Sequence, residues 1–248
     1  TMCGRFVRKT TALEIADIFS CSLDTDELSI SFSVAPTSRV LGIINSEGGP
    51  SLTSFSWGLI PRWAPDASRA ASLINARIET AAEKPSFRDL IAQHRCVLPM
   101  DGYFEWKEQL RHDAIRPIKQ PYYFSAKSQS SYSHQGVLAV AGLWTAWKDP
   151  NQPNSQVVHT AVALTTNAND MVSQIHHRMP VVLSLSGVAH WLDEKNINPL
   201  ALIEDVDNEA LVVCAVSTKV NSSRNNGSEL IEPIVLTQRQ PVDELKLF

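Results

Sequence analysis

Strand-like patterning outnumbers helical patterning in this chain and runs through its whole length. Alternating apolar and polar positions, or short apolar runs closed by turn residues, predict strands over residues 40–44, 52–57, 73–78, 96–98, 103–107, 122–125, 137–143, 157–164, 181–183 and 211–216. Helical spacing is rarer. Thr11 stands three residues ahead of Glu14, the spacing of a capping box, at the start of a segment carrying Leu13, Ile15, Ile18 and Phe19. A second helix is expected from Ser86, with Asp89 three residues on, and two short ones over 186–193 and 199–204. The polar stretches 108–120 and 148–155 read as loops, and no internal repeat is evident. Many short strands with few helices predict an α+β fold, β-rich and single-domain over 1–248, with short helices at its periphery.

Composition narrows the class. With 248 residues, 44% hydrophobic and 19% charged, the chain can bury a large core, which excludes disorder. Cys3, Cys21, Cys96 and Cys214 are scattered, without a CxxC pair or metal-ligand spacing, so reduced thiols are expected rather than a disulfide framework. No apolar run approaches the roughly 20 residues that span a bilayer, and no secretory signal pattern is seen. The expectation is a soluble monomer inside the cell, in the cytoplasm or, in a eukaryote, the nucleus. A formal charge of −4 argues against coating nucleic acid by bulk electrostatics but leaves room for a local basic cleft.

Four stretches carry candidate chemistry. The first is Met2-Cys3-Gly4-Arg5-Phe6. If the residues before Cys3 were removed, its α-amine and thiol would sit on adjacent carbons. That 1,2-aminothiol condenses with an aldehyde to an imine and then closes to a thiazolidine. Reference pKa values near 7.7–8.0 for the amine and about 8.5 for the thiol leave both partly nucleophilic at neutral pH. The competing reading is a small buried hydrophobe.

The second stretch, Ile74 to Glu79, alternates so that Asn75, Arg77 and Glu79 share one strand face and Ile74, Ala76 and Ile78 the other. That polar face is either a solvated surface or one wall of a polar site. The third, Asp101 to Lys107, puts Glu105 beside Tyr103 on one face and Phe104 beside Trp106 on the other. A desolvated Glu105 would have a raised pKa suited to moving protons near neutrality; an exposed edge glutamate would not. In the fourth, His176 and His177 are sequence neighbours expected to point apart, so they make poor joint metal ligands. One histidine as a proton shuttle is the better functional reading, and Arg178 has a phosphate or a carboxylate as its partner. No P-loop, GxGxxG after a strand, GxSxG or HExxH is present, and neither a metal nor another cofactor is expected.

Taken in order, Cys3-Gly4-Arg5-Phe6, Val34-Ala35-Pro36, Trp57-Gly58-Leu59-Ile60-Pro61, Asn75 to Thr80, Asp101 to Trp106, Ile175 to Pro180 and Val216-Ser217 to Pro233 resemble the SRAP family of SOS-response-associated peptidases, which process abasic sites. The resemblance covers nearly the whole chain. It implies a compact β-rich fold with a positively charged cleft for single-stranded DNA, including single-strand/double-strand junctions, and covalent capture of abasic sites. It further implies that Cys3, Asn75, Glu105 and His176 are catalytic. By the same resemblance Arg5, Arg77, Thr165, Trp57 and Arg178 are DNA-side positions, with Trp57 and Trp63 shaping the cleft or packing beneath it more than stacking on bases. Ser33 departs from the family, which usually has asparagine there, and the stretch 148–155 is longer than in compact members.

The family name implies a second reaction, removal of residues preceding the cysteine. Here Thr1 and Met2 hold the Cys3 nitrogen in a peptide bond, so the chain as written reads as a blocked or precursor form. Either Met2 is the initiator, trimmed by an aminopeptidase, with Thr1 an added remnant, or Thr1-Met2 is a pro-segment that Cys3 removes with help from Glu105 and His176. Two other classes compete: a cysteine peptidase acting on other proteins, and a non-catalytic single-stranded-DNA-binding module.

Overall fold

The computed structural model describes residues 4–109, 118–152 and 154–236. In chain order the elements are β1 (Phe6–Arg8), α1 (Ala12–Phe19), β2 (Ser22–Leu23), β3 (Ser31–Val34), β4 (Arg39–Ser46), β5 (Gly49–Trp57), β6 (Asn75–Arg77), α2 (Ile78–Ala81), α3 (Leu90–Gln93) and β7 (Arg95–Met100). They continue with β8 (Gly102–Gln109), β9 (Ile118–Ala126), β10 (Leu138–Trp147), β11 (Val158–Asn167), α4 (Asp170–Ser173), β12 (Arg178–Pro180), β13 (Val182–Leu183), α5 (Leu185–Leu192) and β14 (Leu211–Ala215).

The strands form two sheets. The smaller has the order β14-β9-β8-β1-β3, and the larger β12-β11-β10-β7-β4-β5-β2, with β13 also on β10 and β6 also on β11. A parallel pairing of Ser56 and Trp57 in β5 with Thr160 and Ala161 in β11 closes β11-β10-β7-β4-β5 into a ring. Side-chain alternation then serves two cores. Leu138 and Val140 of β10 pack with Phe6, Tyr103 and Phe124 of the smaller sheet. Their neighbours Ala139, Ala141 and Leu143 pack with Ile15, Ile91 and Trp191 from the helices. The β-rich single domain expected from the sequence is the fold observed.

All ten expected strands are present, several of them longer than the apolar pattern, because backbone pairing continues past the last buried side chain. Strands β1, β2, β3 and β12 were not expected: each is two to four residues long, too short to show a period. Thr11 does cap α1, with both halves of the capping box made: its hydroxyl accepts from the Glu14 amide, and the Glu14 carboxylate accepts from the Thr11 amide at 2.8 Å. The buried stripe is Ala12, Ile15 and Ala16, leaving Leu13 exposed against expectation, since a face needs i, i+3, i+4 spacing.

Other boundaries moved further. The helix expected from Ser86 is only the single turn α3, because turns occupy the residues before Leu90. Helix α5 starts earlier than expected, with the Ser184 hydroxyl accepting from the Gly187 amide. The helix expected over 199–204 is the 3-10 turn Pro199–Leu202. Of the stretch 108–120, residues 110–117 lie outside the described residues, and β8 and β9 take up its ends. The loop after β10 is pinned where the Asn151 amide group donates to the Pro65 carbonyl at 3.0 Å. Among the described residues no helix is long and apolar enough to cross a membrane.

Candidate active site

The site begins with the turn into β8. The buried Asp101 carboxylate accepts from the Lys9 amide at 2.6 Å, the Thr10 amide at 3.0 Å and the Thr10 hydroxyl at 2.6 Å, tying the end of β1 to the start of β8. Gly102 follows because a Cβ there would collide with the Phe124 carbonyl and the Tyr123 ring. Phe6 then lies opposite Tyr103, and the Phe104 amide donates to the Arg5 carbonyl at 3.0 Å. Alternation sends Phe104 into a satellite core with Val7, Val216 and Leu230, while Tyr103 stacks on Phe124 at 4.9 Å. Glu105 follows Tyr103 toward the interior and is 1% exposed.

A carboxylate so desolvated is costly unless polar groups meet it. One of these is His176, whose Nδ1 is 4.0 Å from the Glu105 carboxylate. His176 is delivered by the segment after α4. Asn169 caps that helix, accepting from the Val172 amide at 3.0 Å, and the His176 amide donates back to the Val172 carbonyl at 2.9 Å. The imidazole stacks on His177 at 4.5 Å with 27° between planes, so the two rings lie together rather than pointing apart as expected. Among the described residues no group of three or more His, Cys, Asp or Glu is placed to hold a metal.

His176 Nδ1 faces both ends of Arg178's backbone, 3.1 Å from its amide nitrogen and 3.2 Å from its carbonyl oxygen. An amide only donates and a carbonyl only accepts. The neutral ring with its proton on Nε2 is therefore served by the amide, and the imidazolium by the carbonyl. Burial pushes the His176 pKa below its ordinary value, partly countered by the Arg178 backbone.

The other expected site residues are placed less uniformly. Asn75 and Arg77 stand in β6, opposite Ala163 and Thr165 of β11, with Asn75 half-buried and Arg77 exposed. The expected face of Asn75, Arg77 and Glu79 breaks, because the chain turns into α2 at Ile78 and Glu79 lies in a helical first turn. Ile74 and Ala76, expected side by side, pack into different cores. Arg5 is half-buried, donating to the Ser33 hydroxyl at 2.7 Å and the Val220 carbonyl at 3.1 Å. Ser33, the departure from the family pattern, thus has a defined partner. Cys3 lies outside the described residues.

Three residues that the resemblance carried to the DNA side are buried, Trp57 in keeping with packing rather than stacking on bases. Trp57 is 0% exposed, its indole donating to the Ile74 carbonyl at 3.0 Å, so neither ring face can meet a base. Thr165 is also fully buried, its hydroxyl donating to the Ala76 carbonyl at 3.4 Å. Arg178 is 5% exposed and pairs with the Glu79 carboxylate at 2.6 and 2.7 Å. Of the two partners open to Arg178, the carboxylate is the one found. Trp63, in contrast, is exposed.

A cleft of about 960 Å³ opens over this pair, lined by Glu105, Trp106, Lys107, Lys119, His176 and Asn221 among others. The Trp106 indole donates to the Asn221 side chain at 2.6 Å. Asn221 and Asn167 escaped sequence reasoning, and Glu79 entered it only as part of a polar strand face. Only Glu79 carried a signal, its place in the Asn75 to Glu79 motif, and that signal pointed to the wrong element.

A buried carboxylate beside a half-buried imidazole lines a cleft of mixed charge in a β-rich shell. Residues 2–223 match the SOS response associated peptidase (SRAP) family, and the chain belongs to it. It is 37% identical over 236 residues to the abasic site processing protein YoqW of Bacillus subtilis, covering 93% of this chain and 99% of that one. It is 33% identical over 208 residues to the abasic site processing protein HMCES of Xenopus tropicalis, covering 76% of this chain and 59% of that longer protein. A crystal structure of a Bacteroides thetaiotaomicron protein shares the fold, with a TM-score of 0.80 at 24% identity over 94% of this chain and 100% of that one.

Proposed function

We propose that this chain processes abasic sites in single-stranded DNA, including sites at single-strand/double-strand junctions, by capturing them covalently through Cys3 once Thr1 and Met2 are gone. The observation that carries the reading is the buried Glu105 beside His176, on the strand that pairs with β1. Phe6 lies opposite Tyr103 in that antiparallel pairing, so each residue back along β1 matches one forward along β8. Along it the Phe104 amide donates to the Arg5 carbonyl at 3.0 Å, one residue before Glu105. YoqW and HMCES both bear the name of abasic site processing proteins, which supports the same substrate.

The chemistry needs three proton movements before the carbon–nitrogen bond forms. An abasic deoxyribose opens to its aldehyde when its ring oxygen gains a proton from His176 and its anomeric hydroxyl gives one to water. Glu105 takes a proton from the Cys3 ammonium. The free amine adds to the aldehyde, water leaves, and the thiol adds across the resulting imine to close a thiazolidine. Asn75 orients the reacting terminus, while Arg77 and Arg5 hold flanking phosphates, so binding weakens as salt rises. The same pair would serve release of the blocking residues: the Cys3 thiol takes the Met2 acyl group from its own nitrogen, and water cleaves the thioester.

Chain whose N-terminus is confirmed by intact mass to begin at Cys3 is mixed with abasic and intact single strands, then run on a denaturing gel. A shifted band with the abasic strand alone, lost in Cys3→Ala and in chain retaining Thr1-Met2, is expected. Equal retention of both strands under native conditions and no surviving band would favour a plain DNA-binding module.

A further inference from the structure

Arg178 has every terminal guanidinium hydrogen committed. Its Nη1 donates to Glu79 at 2.6 Å and to the Asn167 side chain at 2.7 Å. Its Nη2 donates to the other Glu79 oxygen at 2.7 Å and to the Thr165 carbonyl at 2.7 Å. A bidentate carboxylate fork with two further acceptors fills the four N–H positions at that end of the side chain. Glu79 comes from α2, and Asn167 and Thr165 from β11, while Arg178 itself opens β12 on the far edge of β11 from β6. The side chain is thus lashed across a central strand. Its own peptide groups, meanwhile, are the ones that meet His176 Nδ1.

We infer that Arg178 is a positioning residue for His176, locked by Glu79 across β11, and not a contact to DNA phosphate. A phosphate could recruit the guanidinium only by displacing Glu79, whose carboxyl Arg178 already holds below the usual carboxylate range. Holding the side chain fixes the peptide units on both sides of the Arg178 Cα, and these present a donor and an acceptor to one ring nitrogen. The imidazole then keeps one orientation whether or not it carries a second proton, as a shuttle must. The charged and titratable groups facing this ring are Glu105 at 4.0 Å, the stacked His177, Arg178 itself, and Lys107, Glu108 and Lys119 in the same cleft. The inference rests on the acid–base role proposed for His176, and its main test does not need the reaction.

The test follows the ring-nitrogen NMR signals of His176 through a pH titration in wild-type, Arg178→Lys and Glu79→Gln chains, with thermal melting to confirm that each is folded. Lysine cannot form the fork, so Arg178→Lys should free the ring. The His176 midpoint then rises toward that of an ordinary histidine and the share of the Nε2–H tautomer falls. Glu79→Gln, which keeps the shape and removes the charge, should move both in the same direction by less and keeps the test readable should the lysine variant misfold. At saturating abasic DNA the cross-linking rate should fall by about 10- to 100-fold, as for a misplaced catalytic group. Affinity for an intact strand and its salt dependence should not change. Unaltered His176 signals in the folded variants would overturn the inference. So would a loss of affinity with a salt slope shallower by about one, the mark of a lost phosphate contact. A wild-type chain that forms no cross-link at all would count against the proposed function and leave the NMR result standing.

Discussion

Two arginines are almost equally buried, Arg95 at 4% and Arg178 at 5%, and they sit in different chemical company. Arg95 donates to the carbonyls of Ile91, Ala92, Trp191 and Asp193 at 2.5 to 2.7 Å and lies 5.8 Å over the Trp191 ring. Those carbonyls belong to the ends of α3 and α5, where acceptors are left without helical partners and a cation is favoured. Arg178 meets a carboxylate, a side-chain amide and a strand carbonyl, and its own backbone serves a histidine in a cleft. Burial and residue type are the same, and the partners differ. Backbone carbonyls at helix ends mark a residue that closes the fold, whereas Arg178 joins a partly exposed carboxylate to a backbone that meets His176.

That contrast can be broken by substitution. The largest expected effect on stability is Arg95→Met, which strips partners from four acceptors at about 1 kcal/mol each, a loss of about 4 kcal/mol in urea unfolding. Its cross-linking per folded molecule should stay at the wild-type level, and a selective loss of cross-linking would erase the distinction. On the site side, Glu105→Gln and His176→Ala should each slow single-turnover cross-linking by about 10² to 10⁴ while shifting the urea midpoint little. Thr11→Ala, which belongs with Arg95, should cost about 1 kcal/mol through the lost cap and leave the reaction rate alone.

Acid pH should give the mildest effect. His94, His134 and His176 are all held below the ordinary histidine value, chiefly by burial. A group with a depressed folded pKa binds its proton more weakly folded than unfolded. Its stabilisation is therefore complete above the unfolded value of about 6.5 and is lost as pH falls from there through the folded value. The melting temperature should drop between about pH 7.5 and 5.5, and the drop should be shallower in His134→Gln. His134 is buried, stacked on Phe19 at 4.8 Å and 3.3 Å from the Leu183 carbonyl, so it senses the fold rather than the cleft. A flat melting temperature over that range would contradict the sign.

What was legible in the sequence was mostly local. The capping box at Thr11 and Glu14 lies within one turn, and the ten apolar stretches read as strands each carry their own period. Glu105 was legible as a carboxylate among aromatics because Tyr103 and Phe104 alternate beside it. Partners were left undecided where they lay far along the chain. Arg178 is matched by Glu79 at a separation of 99 residues, and Arg5 by Val220 at 215. Thr165 was placed beside DNA, yet it is buried within its strand by neighbours no spacing reveals, whereas Trp57 is buried in keeping with a packing role. Glu79 was assigned to a strand face because alternation continued through it, although the backbone had already turned into α2.

The sequence by itself determined the β-rich class and the membership that its ordered motifs announced. Side-chain chemistry and short-range periodicity suffice for those, since neither depends on what lies across the molecule. Only the tertiary structure decided which polar residues reach solvent and which are consumed inside. A guanidinium has a fixed number of hydrogens, and the closure of β5 on β11, with β6 and β12 on either edge, decides whether they meet a phosphate or Glu79.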